Sequence, residues 1–197
     1  MHPELSAFLL STAVIFVAEL GDKSQLMAMT FAARYRARDV LLAITAATLI
    51  VHLASVGIGR FIGSAFAEQQ HWITLAAGVA FLIFAAWTLR GDELTDEEAA
   101  KARKAKGTAL LAVGTAFFLA ELGDKTMLAT IALATREPWF GTWIGSTLGM
   151  VAADALAILV GAILGRKLPE RVIKIGAAIL FAIFGLVLIG EGLGWIG

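Results

Sequence analysis

No cysteine occurs among the 197 residues, which excludes disulfide staples, thiol catalysis and cysteine-based zinc or iron–sulfur sites. The three histidines, His2, His52 and His71, are too scattered for a zinc motif. Charge is also scarce, at 16% of residues against roughly 25% in an ordinary soluble domain. Sixteen Lys and Arg balance sixteen Asp and Glu, so there is no basic excess to draw nucleic acid by counterion release, and no acidic tail. What is abundant is hydrocarbon: 59% of residues are hydrophobic, in runs long enough to cross a bilayer. A water-soluble globular protein is therefore disfavoured.

A membrane helix needs about 20 mostly apolar residues. Six such stretches are expected, near 5–33, 39–66, 71–90, 107–135, 138–165 and 170–190, making an all-α polytopic membrane protein. The first stretch does not read as a cleavable signal peptide, because nothing basic precedes it and it continues past Glu19 into Leu26–Ala33. Glycines at four-residue spacing, Gly59/Gly63 and Gly161/Gly165, would let helix backbones approach closely in lipid.

With six crossings, Arg34, Arg36, Arg38, Arg90, Lys101, Arg103, Lys104, Lys106, Arg166, Lys167, Arg171 and Lys174 fall on one side, twelve of the sixteen positive charges. Arg60 and Arg136 fall on the other side, and Lys23 and Lys125 lie within spans. The positive-inside rule makes the crowded side cytoplasmic, so both termini are expected outside, in a cell inner (plasma) membrane. The linker 91–106 places acids before bases. Thr95 and Glu98 fit a capping box, and Glu97 precedes Lys101 by four residues, so a short cytoplasmic surface helix is expected there.

The chain repeats itself. Ala18-Glu19-Leu20-Gly21-Asp22-Lys23-Ser24 returns as Ala120-Glu121-Leu122-Gly123-Asp124-Lys125-Thr126, an offset of 102 that also relates Arg34 to Arg136, Thr45 to Thr147, Gly59 to Gly161 and Gly63 to Gly165. It then becomes 100, aligning Phe81, Ile83 and Phe84 with Phe181, Ile183 and Phe184. Residues 1–90 and 107–197 thus read as two three-helix repeats. An odd helix number inverts the second, the plan of secondary transporters whose substrate site lies near the midplane between repeats.

Each motif lies deep in its apolar stretch. On a continuous helix Glu19 and Asp22 share a face, as do Glu121 and Asp124, and Gln25 and Met127 extend those faces. An ionised carboxylate at a helix centre costs roughly 2.5–3.5 kcal/mol on insertion scales, so four must face one another, water or a cation. An all-oxygen site without cysteine suits a hard divalent cation such as Mn²⁺, Ca²⁺ or Mg²⁺, with the hydroxyls of Ser24 and Thr126 as further oxygen donors. The Met127 thioether, were it to reach the ion, would tilt preference toward Mn²⁺. Gly21 and Gly123 lower helix propensity, leaving room for a neighbouring helix or an unwound turn. Clustered buried carboxylates also take up protons, so cation and proton would compete for one site.

A plainer reading pairs Glu19 with Lys23 and Glu121 with Lys125 as structural salt bridges; for the two lysines, charge compensation and a role in transport stand equally open. Asp154 lies inside the fifth span, and the offset puts His52 at the matching place in the second. Such a histidine is more often a hydrogen-bonded packing residue. Asp154 is costlier to bury and reads as a proton acceptor or a partner of the ligands. His2 and His71 suggest no role.

The doubled Glu-x-Gly-Asp-Lys-Ser/Thr motif resembles the signature of a family that includes bacterial manganese exporters and the Golgi and chloroplast manganese/calcium transporters, itself distantly similar to the lysine-exporter superfamily. The resemblance implies exchange of a divalent cation for protons, with Glu19, Asp22, Glu121 and Asp124 holding the ion and Lys23, Ser24, Lys125 and Thr126 completing the motifs. It implies no enzyme activity and no cofactor; the metal is cargo. Partners are then the cation, protons and the bilayer, with homo-oligomers left open. Two alternatives stand beside it: export of a cationic organic solute such as an amino acid, and a membrane scaffold that transports nothing.

Overall fold

The computed structural model of the protein describes residues 2–90, 100, 107–164 and 170–196, which are helical with no strand among them. Its helices are α1 (Pro3–Glu19), α2 (Lys23–Ala32), α3 (Ala37–Ala65), α4 (Gln70–Arg90), α5 (Ala109–Glu121), α6 (Lys125–Ala134), α7 (Trp139–Leu164) and α8 (Glu170–Gly192), with a 3-10 turn at Ala67–Gln69 before α4. The helix expected in the 91–106 linker lies outside the described residues, Ala100 apart, as does Gly165.

Local chemistry sets the ends. Pro3 stands in the first turn of α1, where its missing N–H leaves no bond unmade. The Glu4 carboxylate reaches across to accept the Gly141 N–H at 2.7 Å near the start of α7. Thr108 caps α5, its hydroxyl accepting the Leu111 N–H at 3.4 Å.

Among the described residues four stretches are long and apolar enough to cross a membrane: Ala37–Ala65, Ala67–Arg90, Trp139–Ala162 and Lys174–Gly192. The other two expected spans are not continuous helices. The stretch 5–33 is split into α1 and α2, bent by 78°, which pass the same test only together. The stretch 107–135 is split into α5 and α6, of 13 and 10 residues, each short of the roughly 20 that a crossing needs. Both breaks have one cause. Gly21 and Gly123 adopt left-handed backbone, φ 76° and 80°, which a residue without Cβ enters freely. Leu20 and Leu122 before them are extended, as are Asp22 and Asp124 after them. The chain is a polytopic membrane protein with four continuous helices long and apolar enough to span among the described residues, and a fifth if α1 and α2 count as one.

The helix contacts follow the sequence repeat. α1 packs on α7 as α5 packs on α3, α2 on α7 as α6 on α3, and the pairs α3/α7 and α4/α8 join like to like. At the α4/α8 contact Phe81 meets Phe181 and Phe184 with ring centroids 5.8 and 4.9 Å apart, and Phe84 meets Phe181 at 6.1 Å. Such aromatic pairs add about 0.5–1.5 kcal/mol each beyond area burial. Gly59 and Gly63 bring α3 onto the backbone of Ile131 and Thr135, while Gly161 faces the Met29 side chain. Leu42, Phe61, Trp72, Ile83, Leu119 and Leu186 are exposed, as a surface against lipid acyl chains would be.

Two contacts define the faces of the bundle. Glu191, at the end of α8, pairs with Arg136 in the α6–α7 connection at 2.6 Å, and Glu4 holds Gly141, so both chain ends lie with that connection. At the opposite face the Tyr35 hydroxyl donates to the Gly107 carbonyl at 3.2 Å, joining the α2–α3 connection to the start of α5.

Candidate functional site: two broken helices face to face

Because each motif falls on a break, its acids do not stand on one helical face as a continuous helix would place them. Glu19 and Glu121 are the last residues of α1 and α5, whereas Asp22 and Asp124 precede α2 and α6. Each turn is closed by its own backbone, with the Asp22 N–H on the Glu19 carbonyl at 3.1 Å and the Asp124 N–H on the Glu121 carbonyl at 3.2 Å. The positive ends of the α2 and α6 dipoles therefore sit beside the two aspartates, and the negative ends of α1 and α5 beside the two glutamates.

All four acids are buried. The motif hydroxyls serve the glutamates: Ser24 Oγ donates to Glu19 Oε1, and Thr126 Oγ1 donates to Glu121 Oε2 at 2.8 Å. Ser24 Oγ also lies 3.3 Å from Asp22 Oδ2. The lysines cross over. Lys125 Nζ binds Asp22 Oδ1, and Lys23 Nζ lies 3.8 Å from Asp124 Oδ1. These ion pairs join one copy of the motif to the other, so the pairing of Glu19 with Lys23 and of Glu121 with Lys125 is replaced by Lys–Asp pairs between copies. A buried charge needs such a partner, since desolvating it alone costs several kcal/mol.

Gln25 and Met127 brace the turns. Gln25 Oε1 accepts the Gly21 N–H at 2.8 Å while its Nε2 donates to the Ala153 carbonyl at 2.8 Å. The Met127 sulfur accepts the Gly123 N–H at 3.2 Å, which occupies it at the turn. Glu19 Oε2 and Glu121 Oε1 carry no hydrogen bond. Asp154, one residue beyond the carbonyl that Gln25 holds, is wholly buried with neither carboxylate oxygen hydrogen-bonded. His52 is equally buried; its Nδ1 lies 3.5 Å from Thr147 Oγ1, and its Nε2 has no hydrogen-bond partner. Among the described residues no three His, Asp or Glu side chains converge closely enough to grip a metal ion as they stand. Each aspartate instead carries the ammonium group of the lysine from the other copy of the motif.

Sequence reasoning missed the contact of Thr48 with Met150, whose hydroxyl and sulfur lie 3.1 Å apart. The offset of 102 relates these two residues and was the available signal. It also missed Ser11 and Ser146, buried hydroxyls without a hydrogen-bond partner.

The family model described as "Divalent cation/proton antiporter GDT1" matches residues 7–96 and 109–195, both copies of the motif included. The chain belongs to this family. GDT1 membership makes it a divalent cation transporter and not an enzyme. Among curated relatives, a Vibrio cholerae protein named "Putative manganese exporter" is 33% identical over 186 residues, covering 92% of this chain and 90% of the relative. A GDT1-like protein of Synechocystis is 30% identical, covering 93% of this chain and 96% of its own length. The chloroplastic GDT1-like protein 2 of Oryza sativa is 32% identical, and this chain spans 60% of it. No solved structure matches the chain.

Proposed function

We propose that this GDT1 protein exports Mn²⁺ in exchange for protons by alternating access at the paired motifs. The observation that carries the reading is the crosswise arrangement of Lys125 on Asp22 and Lys23 on Asp124. Two tethered ammonium groups match the charge of one divalent cation and hold its place. A cation arriving between the broken helices takes oxygens from Glu19, Asp22, Glu121 and Asp124 and displaces the ammonium groups. Glu19 Oε2 and Glu121 Oε1 already have lone pairs to offer. Because cation ligands must be deprotonated, loading releases protons and reprotonation discharges the ion, which couples the two flows. Asp154, buried beside this centre, acts with it as a further acid.

On this reading residues 1–90 and 107–197 are inverted repeats of three crossings each, α1 with α2 and α5 with α6 each making one broken crossing. The distribution of Lys and Arg supports a cytoplasmic 91–106 linker and external termini in the plasma membrane.

Proteoliposomes under a pH gradient, given Mn²⁺, Ca²⁺, Mg²⁺ and lysine in competition, test substrate and coupling together. Mn²⁺ flux that dissipates the gradient is expected. Preferred Ca²⁺ flux overturns the choice of metal, and lysine flux without metal flux overturns the reading altogether. Absence of any flux, with thermal stability indifferent to Mn²⁺, returns the protein to the scaffold reading.

A further inference from the structure

The two faces of the bundle are lined differently. Around the motifs, α1, α3, α6 and α7 pack on one another toward the face that holds both chain ends. Their repeat equivalents α5, α7, α2 and α3 pack likewise toward the opposite face. Six buried positions differ in character at the offset of 102, five of them in one sense and Thr48, against Met150, in the other. Ser11, Ser55, Thr130, Thr142 and Ser146 on the chain-end side correspond to Val113, Ala157, Ala28, Val40 and Ile44 on the other, and all ten are buried. Four of the five hydrocarbon residues belong to one cluster with Phe31 and Phe117.

Hydroxyls in membrane helices often bond back to their own helix, and Ser55, Thr130 and Thr142 do so, on the carbonyls of Val51, Thr126 and Pro138. Back-bonding does not account for the rest. Ser11 Oγ and Ser146 Oγ, on the chain-end side, are buried hydroxyls with no hydrogen-bond partner; His52 Nε2 and both Asp154 oxygens, at equivalent places in the two repeats beside the motifs, and Thr88 Oγ1 in α4 are unpartnered too. A polar group orphaned in this way costs free energy that a hydrocarbon of similar size does not, unless water reaches it during the working cycle. The counterparts of Ser11 and Ser146, Val113 and Ile44, show that hydrocarbon fits the equivalent places.

We propose that the interior between α1, α3, α6 and α7, lined by Ser11, Ser55, Ser146 and His52, is the hydrated approach by which protons and the cation reach the motif acids from the chain-end face. The equivalent interior between α2, α3, α5 and α7 is a dry seal. Small separations of the helices admit water to a hydroxyl-lined space, whereas a space lined by Val40, Ile44, Val113 and Phe117 expels it until the helices part widely. The two gates are unequal: the chain-end gate wets easily, and opening the other is the step that cation binding must drive. The inference rests on the exchange reading above for what passes, but not for which side is wet.

The absence of native cysteine makes the test clean. Ser11→Cys, Ser146→Cys, Val113→Cys and Ile44→Cys are made singly in the full chain and exposed, in vesicles of each orientation, to a membrane-impermeant charged methanethiosulfonate. Ser11→Cys and Ser146→Cys are expected to react from the chain-end face at least tenfold faster than Val113→Cys and Ile44→Cys react from either face. Equal rates in the two pairs, or faster reaction of the hydrocarbon-side pair, overturn the proposal. Should one of these variants fail to assemble, Ser55→Cys against Ala157→Cys reads the same contrast. The labelling is independent of transport: flux of Mn²⁺ without the contrast sinks the hydrated route alone, and the contrast without flux of any metal sinks the exchange reading alone.

Discussion

The contact of α1 with α7 and that of α5 with α3 occupy equivalent places in the repeat, yet they are built from different residues. α7 presents Gly141, Gly145 and Gly149 to α1, so closely that a Cβ at any of the three would collide with the carbonyl of Glu4, Phe8 or Thr12. At the matching positions α3 carries Asp39, Ala43 and Ala47. There a groove of about 250 Å³ remains against α5, lined in part by Ala43, Ala47, Leu110, Gly114 and Phe118. Gly114 would accept a Cβ with only the Ala43 carbonyl nearby, at 3.8 Å. The lesson is that one contact is a backbone-to-backbone seam that cannot slide without breaking, whereas the other has slack. On the exchange reading α1 and α7 move as one body, and the α3/α5 contact takes up the motion.

The comparison is sharpened most strongly at the motifs, where the two copies should prove equally necessary. Replacing Glu19 or Glu121 singly by Gln is expected to lower Mn²⁺ flux in proteoliposomes by about 100-fold or more in either case, the equivalent of ~2.7 kcal/mol. A variant of one copy that retains full flux would break the equivalence and confine the site to the other copy.

The seam itself is tested next. Gly145→Val is expected to destabilise the detergent-solubilised protein by ~1–3 kcal/mol or more, because the added methyls meet the Phe8 backbone and not a side chain that can turn away. Ala43→Val, at the equivalent position, is buried but borders the groove and should lower the thermal midpoint distinctly less. Equal losses would show that the groove offers no slack.

A smaller effect is expected at the turn braces. Gln25→Met removes the donor to the Ala153 carbonyl and leaves a weaker sulfur acceptor for Gly21, at about 1–2 kcal/mol, while Met127→Gln replaces one acceptor by another and should stay within about 0.5 kcal/mol. Thermal melts of both variants decide it.

The smallest effect concerns Glu137, in the α6–α7 connection beside Arg136 and Glu191. Burial and the Glu191 charge push its carboxyl above the usual glutamate range, with Arg136 opposing. The folded protein therefore holds a proton there that the unfolded chain has lost. This contribution to stability is present below the ordinary glutamate value and fades as pH rises through the raised one. Glu137→Gln should flatten that part of the stability profile, measured by melts across the acidic range. A profile that keeps its slope assigns it to another group.

Much of this was legible in the chain. The doubled motif, the acids and the family resemblance stood out because identical charged residues in apolar stretches are conspicuous. The breaks at Gly21 and Gly123 were only half legible: glycine permits a turn, but the sequence around it reads as an uninterrupted apolar run, and no local rule chooses between a tolerated helical glycine and a left-handed one. The crossing of Lys125 to Asp22 was not legible at all. The i, i+4 spacing favours Glu121 as its partner, and only the meeting of two distant segments supplies a better one. Ser11 and Ser146 went unnoticed for a related reason, since hydroxyls are ordinary in membrane helices and become unusual only beside the valine and isoleucine that fill the same places in the repeat.

The crosswise lysines also bear on how the chain is made. Asp22 enters the membrane long before Lys125 is synthesised, and Lys23 long before Asp124. The first four helices thus arrive with a buried pair of opposite charges whose final partners are still on the ribosome. Biogenesis must hold that segment in a provisional state, with Asp22 and Lys23 leaning on each other, water or the insertion machinery, until α5 and α6 follow. On the exchange reading the last ion pairs to close are those of the transport centre, so completion of the polypeptide and assembly of that centre become one event.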